Sequence, residues 1–325
     1  MANKAIRKGL LENDNIFYTD ASNKVTRTLE ILAKSFLSDG ICFCSFSKIN
    51  RFGIRVAKLF NKKTFYLMHG YATIESRINN ENITEDEIMK INEYEKYIFR
   101  NVDRIFCVSE AFMNYMKDAE PEFKEKFDYN YNGLDLDKIK NSTEKYCANK
   151  KLGQIVSIGG GMKLKNNLAV CKAIDKLNKE KNMKLKYIVI GLPYTDKEEI
   201  CGYDFVDYYE ELPHKKVLEI LSESHLYVQN SYFETFGLAV IEALYSNCDL
   251  LVSSKVGATG VIKNITDSDL IFDQDNIEEI SSKIEKIINS GNAKRLQNCV
   301  LEDEIGLKRA AESLVNKIKK TVDKY

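Results

Sequence analysis

The chain has 325 residues, 44% hydrophobic and 30% charged, with 48 basic residues balanced by 48 acidic ones. That length suits two domains better than one core, and zero net charge gives no global reason to expect nucleic acid as a partner. No stretch approaches the ~20 apolar residues of a membrane span. The start Met1-Ala-Asn-Lys carries no signal-peptide apolar region, and eight scattered cysteines beside three histidines hold no CxxC pair. These features point to a cytoplasmic chain with free thiols and no zinc site, with Cys42, Cys44 and Cys107 inside apolar runs.

In chain order, the apolar runs of the first half predict strands at 16–18, 41–46, 64–68, 104–108 and 127–130. Helical spacing predicts helices over 24–37, 49–60, 85–102 and 111–118, the third led by a Thr84-x-x-Glu87 capping box. In the second half strands are predicted at 154–158, 186–190, 205–206, 226–229, 250–253 and 270–271, and helices over 167–179, 214–222, 239–246 and 277–290. Alternation of this kind means parallel α/β sheets. The pattern restarts after residue 150, which predicts two doubly wound domains joined through the stretch from Asn132-Gly133 to Lys151, with Gly133 supplying a positive φ. A last amphipathic helix, 307–320, has one buried face.

The densest motif is Ser231 to Leu244, where Glu234 and Glu242 stand eight positions apart around Phe236-Gly237. A strand, a glycine turn and a helix follow one another, so backbone amides at the helix start favour a phosphate. With the helix starting near Phe236, Glu242 falls about two turns inside it and Glu234 just before it. Such a layout suits a ligand with a central diphosphate and hydroxyl-rich sugars at both ends. A second glycine turn, Gly159-Gly160-Gly161, follows the strand Ile155–Ile158. The dinucleotide fingerprint G-x-G-x-x-G would need glycine at 164, and Leu164 is there, which weakens a dehydrogenase reading.

The Glu234–Glu242 segment resembles the E-x7-E signature of retaining glycosyltransferases of the GT-B fold, family 4. The resemblance implies two Rossmann-like domains facing a cleft, an acceptor domain at 1–145 and a donor domain at 146–306, with 307–325 crossing back to the first. It implies that Glu234 contacts the donor sugar, that the Phe236-Gly237-Leu238 backbone holds the diphosphate, and that Glu242 binds the ribose. In the glycine loop, Gly160, Gly161, Lys163 and Lys165 match donor-binding positions, with Lys165 set against the departing diphosphate. The family commonly has arginine where Gly160 stands, so one cation of the phosphate clamp is missing and Lys163 is the candidate substitute. His69, in Tyr66-Leu67-Met68-His69-Gly70, matches a histidine that faces the donor sugar and acceptor. Asn132-Gly133-Leu134-Asp135 resembles the family's turn before the linker. Val256-Gly257-Ala258 stands where the family has a glycine-rich loop near the donor. Ser109 reads as an N-cap, His214 in Leu212-Pro213-His214 as mainly structural, and His225 as a surface or packing residue.

The expected activity is retaining transfer from a nucleotide-sugar, most often a UDP-sugar, to a glycan or lipid-linked saccharide in bacterial surface polysaccharide synthesis. No metal or cofactor is implied. Two other readings stand beside it: a sugar-nucleotide epimerase of the same fold, and a catalytically weak GT-B subunit that binds a partner transferase or carbohydrate. Residues 1–70 hold twelve Lys/Arg against five Asp/Glu. Within them Lys48, Arg51, Arg55, Lys58 and Lys62 form a basic stripe at helical spacing. That stripe fits either peripheral membrane contact through 48–63 or a domain helix with a solvated basic face.

Overall fold

The computed structural model describes residues 7–9, 16–20, 23–143 and 150–322. Contacts divide the chain into two compact units, one formed by the residues up to Arg77 with 82–134 and 303 onward, the other by Ile78–Glu81 with Asp135–Glu302.

The first unit carries four parallel strands, Gly40–Phe43 (β1), Lys63–Met68 (β2), Arg104–Cys107 (β3) and Phe127–Tyr129 (β4), in the order β1-β2-β3-β4. Thr64 to Met68 is buried without alternation, as expected of a parallel strand covered on both faces. Its helices are Lys24–Leu37 (α1), Ile49–Leu59 (α2), Ala72–Asn79 (α3), Glu85–Asn101 (α4) and Glu110–Ala119 (α5). The predicted capping box starts α4, Thr84 accepting from the Glu87 amide while Glu87 reaches back to Thr84. At its other end Lys126 Nζ donates to the carbonyls of Phe99, Arg100 and Val102 at 3.0, 2.9 and 2.8 Å. These include carbonyls that a helix end leaves without intrahelical partners. Ser109 caps α5 by accepting from Phe112 N at 3.1 Å, as its position predicts. The apolar side of α2 is inside, with Ile54, Val56 and Ala57 buried, while Arg51, Arg55 and Lys58 are exposed. The basic stripe is therefore exposed, and Leu59 at the end of α2 is exposed beside it.

The helix Leu307–Val322 belongs to this unit. Asn130 Nδ2 donates to Ala310 O at 3.1 Å. Gly133 does not have the positive φ expected of it. It is glycine because a Cβ there would stand 3.2 Å from both Ala310 Cβ and Leu307 Cα, so close helix approach is the reason.

The second unit carries Lys151–Ile158 (β5), Lys186–Ile190 (β6), Val206–Tyr209 (β7), Ser224–Gln229 (β8), Asp249–Ser253 (β9) and Leu270–Ile271 (β10), all parallel, in the order β10-β9-β8-β5-β6-β7. The chain moves outward from β5 to β7, returns to β8 beside β5, and proceeds to the opposite edge. The order reverses between β5 and β8, and ligands of open α/β sheets bind outside the carboxyl ends at such a reversal. Its longer helices are Leu136–Thr143 (α6), Asn167–Lys181 (α7), His214–Glu223 (α8), Leu238–Tyr245 (α9) and Ile277–Ser290 (α10). Val170, Ile174 and Leu177 of α7 meet Ile280, Ile284 and Ile287 of α10 over Ile155, Val189 and Val228 of the sheet, all buried. Each such side chain contributes about 1.5–3 kcal/mol by leaving water, and truncation to alanine costs about 2–5 kcal/mol.

Several expectations need correction. Residues 16–18 form no strand, and β1 stops at Phe43 rather than 46. Most of the N-terminal stretch 4–13, which lacks a glycine-rich loop in sequence, lies outside the described residues. The expected linker contains α6, which packs on α8 and α9 through buried Leu136 and Ile139. Only the second sheet reverses its order; the first, in simple sequence order, is singly wound among the described residues. The described cysteines are free thiols, and no described helix is long and apolar enough to cross a membrane.

Candidate functional site

The segment after β8 is pinned before it reaches the first glutamate. Ser253 Oγ donates to Ser231 O at 2.6 Å, Glu234 N donates to Lys255 O at 3.2 Å, and Gly257 N donates to Glu234 O at 3.0 Å. Ala258 N, in the 3-10 turn Gly257–Val261, adds a bond to Phe236 O at 2.6 Å. The turn then needs Gly237, whose φ is +94° and where a Cβ would stand 3.0 Å from Val256 Cγ1 and 3.3 Å from Glu234 Cγ. Helix α9 starts at Leu238, one residue before the predicted 239 and two after the start near Phe236 used to place Glu242, and no side chain caps it. No acidic residue lies in its first turn. Val240 N donates to Gly237 O at 3.1 Å, which leaves the amides of Leu238 and Ala239 for solvent or an anion.

Glu234 stands before this helix start. Its carboxylate is ion-paired with Lys165 Nζ and accepts from Gln229 Nε2 at 3.0 Å. Gln229 Oε1 in turn accepts from the hydroxyl of the fully buried Tyr227 at 2.8 Å. Burial holds that phenol well above its ordinary range, so Tyr227 stays a neutral donor. The chain Tyr227–Gln229–Glu234–Lys165 thus fixes the carboxylate from behind. Glu242 lies on α9 with its side chain 10% exposed, its Oε1 2.9 Å from His214 Nε2. The hydrogen bond to Glu242 raises the His214 imidazole above its ordinary range, against the opposing effect of burial.

The glycine loop closes β5. Gly159 and Gly160 have φ of +134° and +59°. Gly159 N and Gly160 N donate to Ile190 O at 2.7 and 3.0 Å, and Gly161 N donates to Leu192 O at 3.2 Å. The amides of Gly160 and Gly161 are spent within the protein, so a phosphate cradle built from them does not fit this geometry. A Cβ on Gly160 would stand 2.5 Å from Gly191 C and closer still to Leu192 O, so the loop has no room for the arginine common at this position. A Cβ on Gly159 would stand 3.0 Å from Lys165 Cδ. The stem of Lys165 therefore lies across Gly159, and this path carries its ammonium to Glu234. Lys163 goes elsewhere, into an ion pair with Glu81.

Glu234, Lys165, Gly237, Leu238, Glu242 and His214 are all in the second unit. His69 belongs to the first, at the carboxyl end of β2, and burial lowers its imidazole to about 4, leaving it neutral at pH 7. Sequence reasoning missed Gln229 and Tyr227 as supports of Glu234; a polar residue closing an otherwise apolar strand was the available signal. It read His214 as structural because nothing in a chain links positions 28 residues apart. His225 packs as expected, accepting from Gly153 N at 3.3 Å and lying 3.6 Å from Asp249. Among the described residues no three His, Cys, Asp or Glu side chains are placed to hold a metal ion.

No curated protein sequence matches the chain. Solved structures do. HepE of Anabaena, solved with UDP and glucose, matches at 11% identity over 94% of this chain and 84% of that one, TM-score 0.64. Sucrose-phosphate synthase of Thermosynechococcus elongatus matches at 13% identity over 97% and 83%, TM-score 0.65. The UDP-forming trehalose-phosphate synthase of Burkholderia xenovorans, solved with glucose-6-phosphate, matches at 9% identity over 98% and 84%, TM-score 0.67. At these identities the likeness establishes the fold, which is GT-B. The profile of the glycosyl transferases group 1 matches residues 138–300, half of the chain and the part that holds both glutamates, and the chain belongs to that family.

Proposed function

We propose that this protein transfers a sugar from a UDP-sugar to a glycan or lipid-linked saccharide, with retention at the anomeric carbon, in bacterial surface polysaccharide synthesis. The observation that carries the reading is the pair Glu234 and Glu242 on either side of the uncapped start of α9, at the point where the sheet reverses its order. In this reading the α9 amides and Lys165 take the diphosphate, Glu242 takes the ribose hydroxyls and Glu234 the donor sugar. The bond from the anomeric carbon to the phosphate oxygen breaks with its electron pair leaving on the phosphate. The acceptor hydroxyl oxygen bonds to that carbon, and its proton passes to the donor's own phosphate. Lys165 exchanges its Glu234 partner for the developing charge, the kind of electrostatic stabilisation worth roughly 2.7–4 kcal/mol per donor. His69, neutral at pH 7, serves as a hydrogen-bonding group toward a sugar hydroxyl. No metal or cofactor enters this scheme. UDP is favoured because HepE is solved with it and the trehalose-phosphate synthase is UDP-forming.

A second reading, a subunit of weak donor turnover, draws on Gly160, which leaves no space for an arginine, and on Lys163, already paired with Glu81. Residues 48–63 are proposed as a peripheral contact with anionic membrane, through the exposed basic face of α2 beside exposed Leu59, Phe36 and Leu37. The deciding experiment incubates the protein with UDP-glucose, UDP-galactose, UDP-N-acetylglucosamine or GDP-mannose and a panel of saccharide and lipid-linked saccharide acceptors, follows release of the nucleotide, and reads the anomeric proton of any product by NMR. UDP release with an α-linked product supports the proposal. Nucleotide binding without release favours the weak subunit, and a β-linked product overturns retention.

A further inference from the structure

We propose that His214 is a positioning residue for the nucleotide: it holds the Glu242 carboxylate in place for the ribose hydroxyls and makes nucleotide affinity depend on pH. The inference rests on the reading of Glu242 as the ribose-binding acid. Pro213 fixes the chain ahead of α8, and His214 is the first residue of that helix. From there its Nε2 reaches Glu242 Oε1 at 2.9 Å, across to the middle of α9. The Glu242 side chain is 10% exposed, and this is its one side-chain hydrogen bond among the described residues. Oε2 is left to accept from a ligand. Without His214 this long, largely buried side chain loses the partner that selects its rotamer, and choosing one rotamer costs side-chain entropy.

The hydrogen bond to Glu242 favours a charge on this histidine, while burial and the helix start oppose it. A hydrogen bond to a charged group is among the stronger ones, and the pair prevails, since Glu242 raises the imidazole above its ordinary range. The groups facing it are Glu242 from α9 and Lys138 from α6, the latter opposing protonation. Tyr227 of β8 senses Glu242 but is held neutral by burial, and Lys151 of β5 is turned to Glu223 at the far end of α8. A protonated His214 adds a positive charge near a ligand whose diphosphate is negative. Affinity is therefore highest below the His214 pKa and falls as pH rises through it.

The test measures the dissociation constant of UDP-glucose by calorimetry from pH 6 to 8.5, a range in which the charge of this diester is constant. Wild type is expected to weaken several-fold across it. His214→Ala is expected to weaken binding about tenfold at pH 6 and to show a flat profile. His214→Gln places an amide nitrogen near the position of Nε2, so it keeps the donor without the titration. It is expected to bind like wild type at pH 8.5, again with a flat profile. A merely structural His214 would give a lower melting temperature in the alanine variant with wild-type affinity and slope, which overturns the inference. A wild-type profile that is flat, or a slope retained in His214→Gln, overturns it as well. If wild type binds no UDP-glucose at any pH, the proposed donor site falls, and this inference with it.

Discussion

Gly160→Ala tests the account of the glycine loop. The alanine would have to adopt φ +59°, a left-handed conformation costing a residue with a Cβ about 1–2 kcal/mol. Its Cβ would also stand 2.5 Å from Gly191 C and 2.6 Å from Gly191 O, both backbone atoms that cannot swing away. Relief requires the loops to part, which strains the bonds from Gly159 N and Gly160 N to Ile190 O at 2.7 and 3.0 Å. Losing one of them adds about 1 kcal/mol. The sum is about 2–3 kcal/mol, and at roughly 2–4 °C per kcal/mol for a unit of this size the melting temperature falls by about 4–12 °C. Gly202→Ala is the control, since Gly202 is exposed with φ −71°, and a change within about 0.5 kcal/mol is expected there. Differential scanning calorimetry reads both. A Gly160→Ala protein melting within 2 °C of wild type refutes the packing argument, and with it the explanation of why no arginine stands at 160.

Lys126→Met removes the donor to three carbonyls at the end of α4. Urea unfolding should show a loss of about 1–3 kcal/mol; unchanged stability would mean that water replaces the ammonium freely. Glu95 is 1% exposed and accepts from Ala72 N at 2.8 Å and Thr73 N at 3.0 Å, and burial raises its carboxyl to about 7. Its folded pKa lies above the unfolded value, so its contribution is full below about pH 4.5 and is lost as pH rises through 7. Relative to Glu95→Gln, wild type should lose about 3 kcal/mol between pH 4.5 and 8, and parallel curves for the two proteins would contradict the burial argument. Reversing Lys58 and Lys62 to glutamate should reduce sedimentation with anionic vesicles, each cation being worth about 1 kcal/mol near such a surface. Equal sedimentation would leave the basic face of α2 without a membrane role.

Much of the second unit was legible because its elements satisfy local rules and global packing together. The period of Ile277–Ser290 and the apolar run Lys186–Ile190 give those elements with their observed limits. Residues 16–18 mislead because β-propensity without a neighbouring strand makes no ladder. Helix α6 hides in an apparent linker because its burial comes from α8 and α9 rather than from a long apolar period. Strand order leaves no mark on local sequence, so the reversal at β5 and β8 becomes visible only in the folded sheet. At the site, the turn at Gly237 was readable from the sequence. The pairings Lys165–Glu234, Lys163–Glu81 and His214–Glu242 were not, since each joins residues at least 28 positions apart.

The most direct measurement is calorimetric titration of wild type and Glu242→Ala with UDP, with GDP, ADP and NAD as comparisons. The account predicts that wild type binds UDP in preference to the others and that the folded variant loses at least tenfold in affinity, since each charge-assisted bond to ribose is worth about 1.5–3 kcal/mol. Equal UDP affinity in the two proteins, or preference for NAD, would contradict the assignment of the Glu234–Glu242 segment as a sugar-nucleotide site.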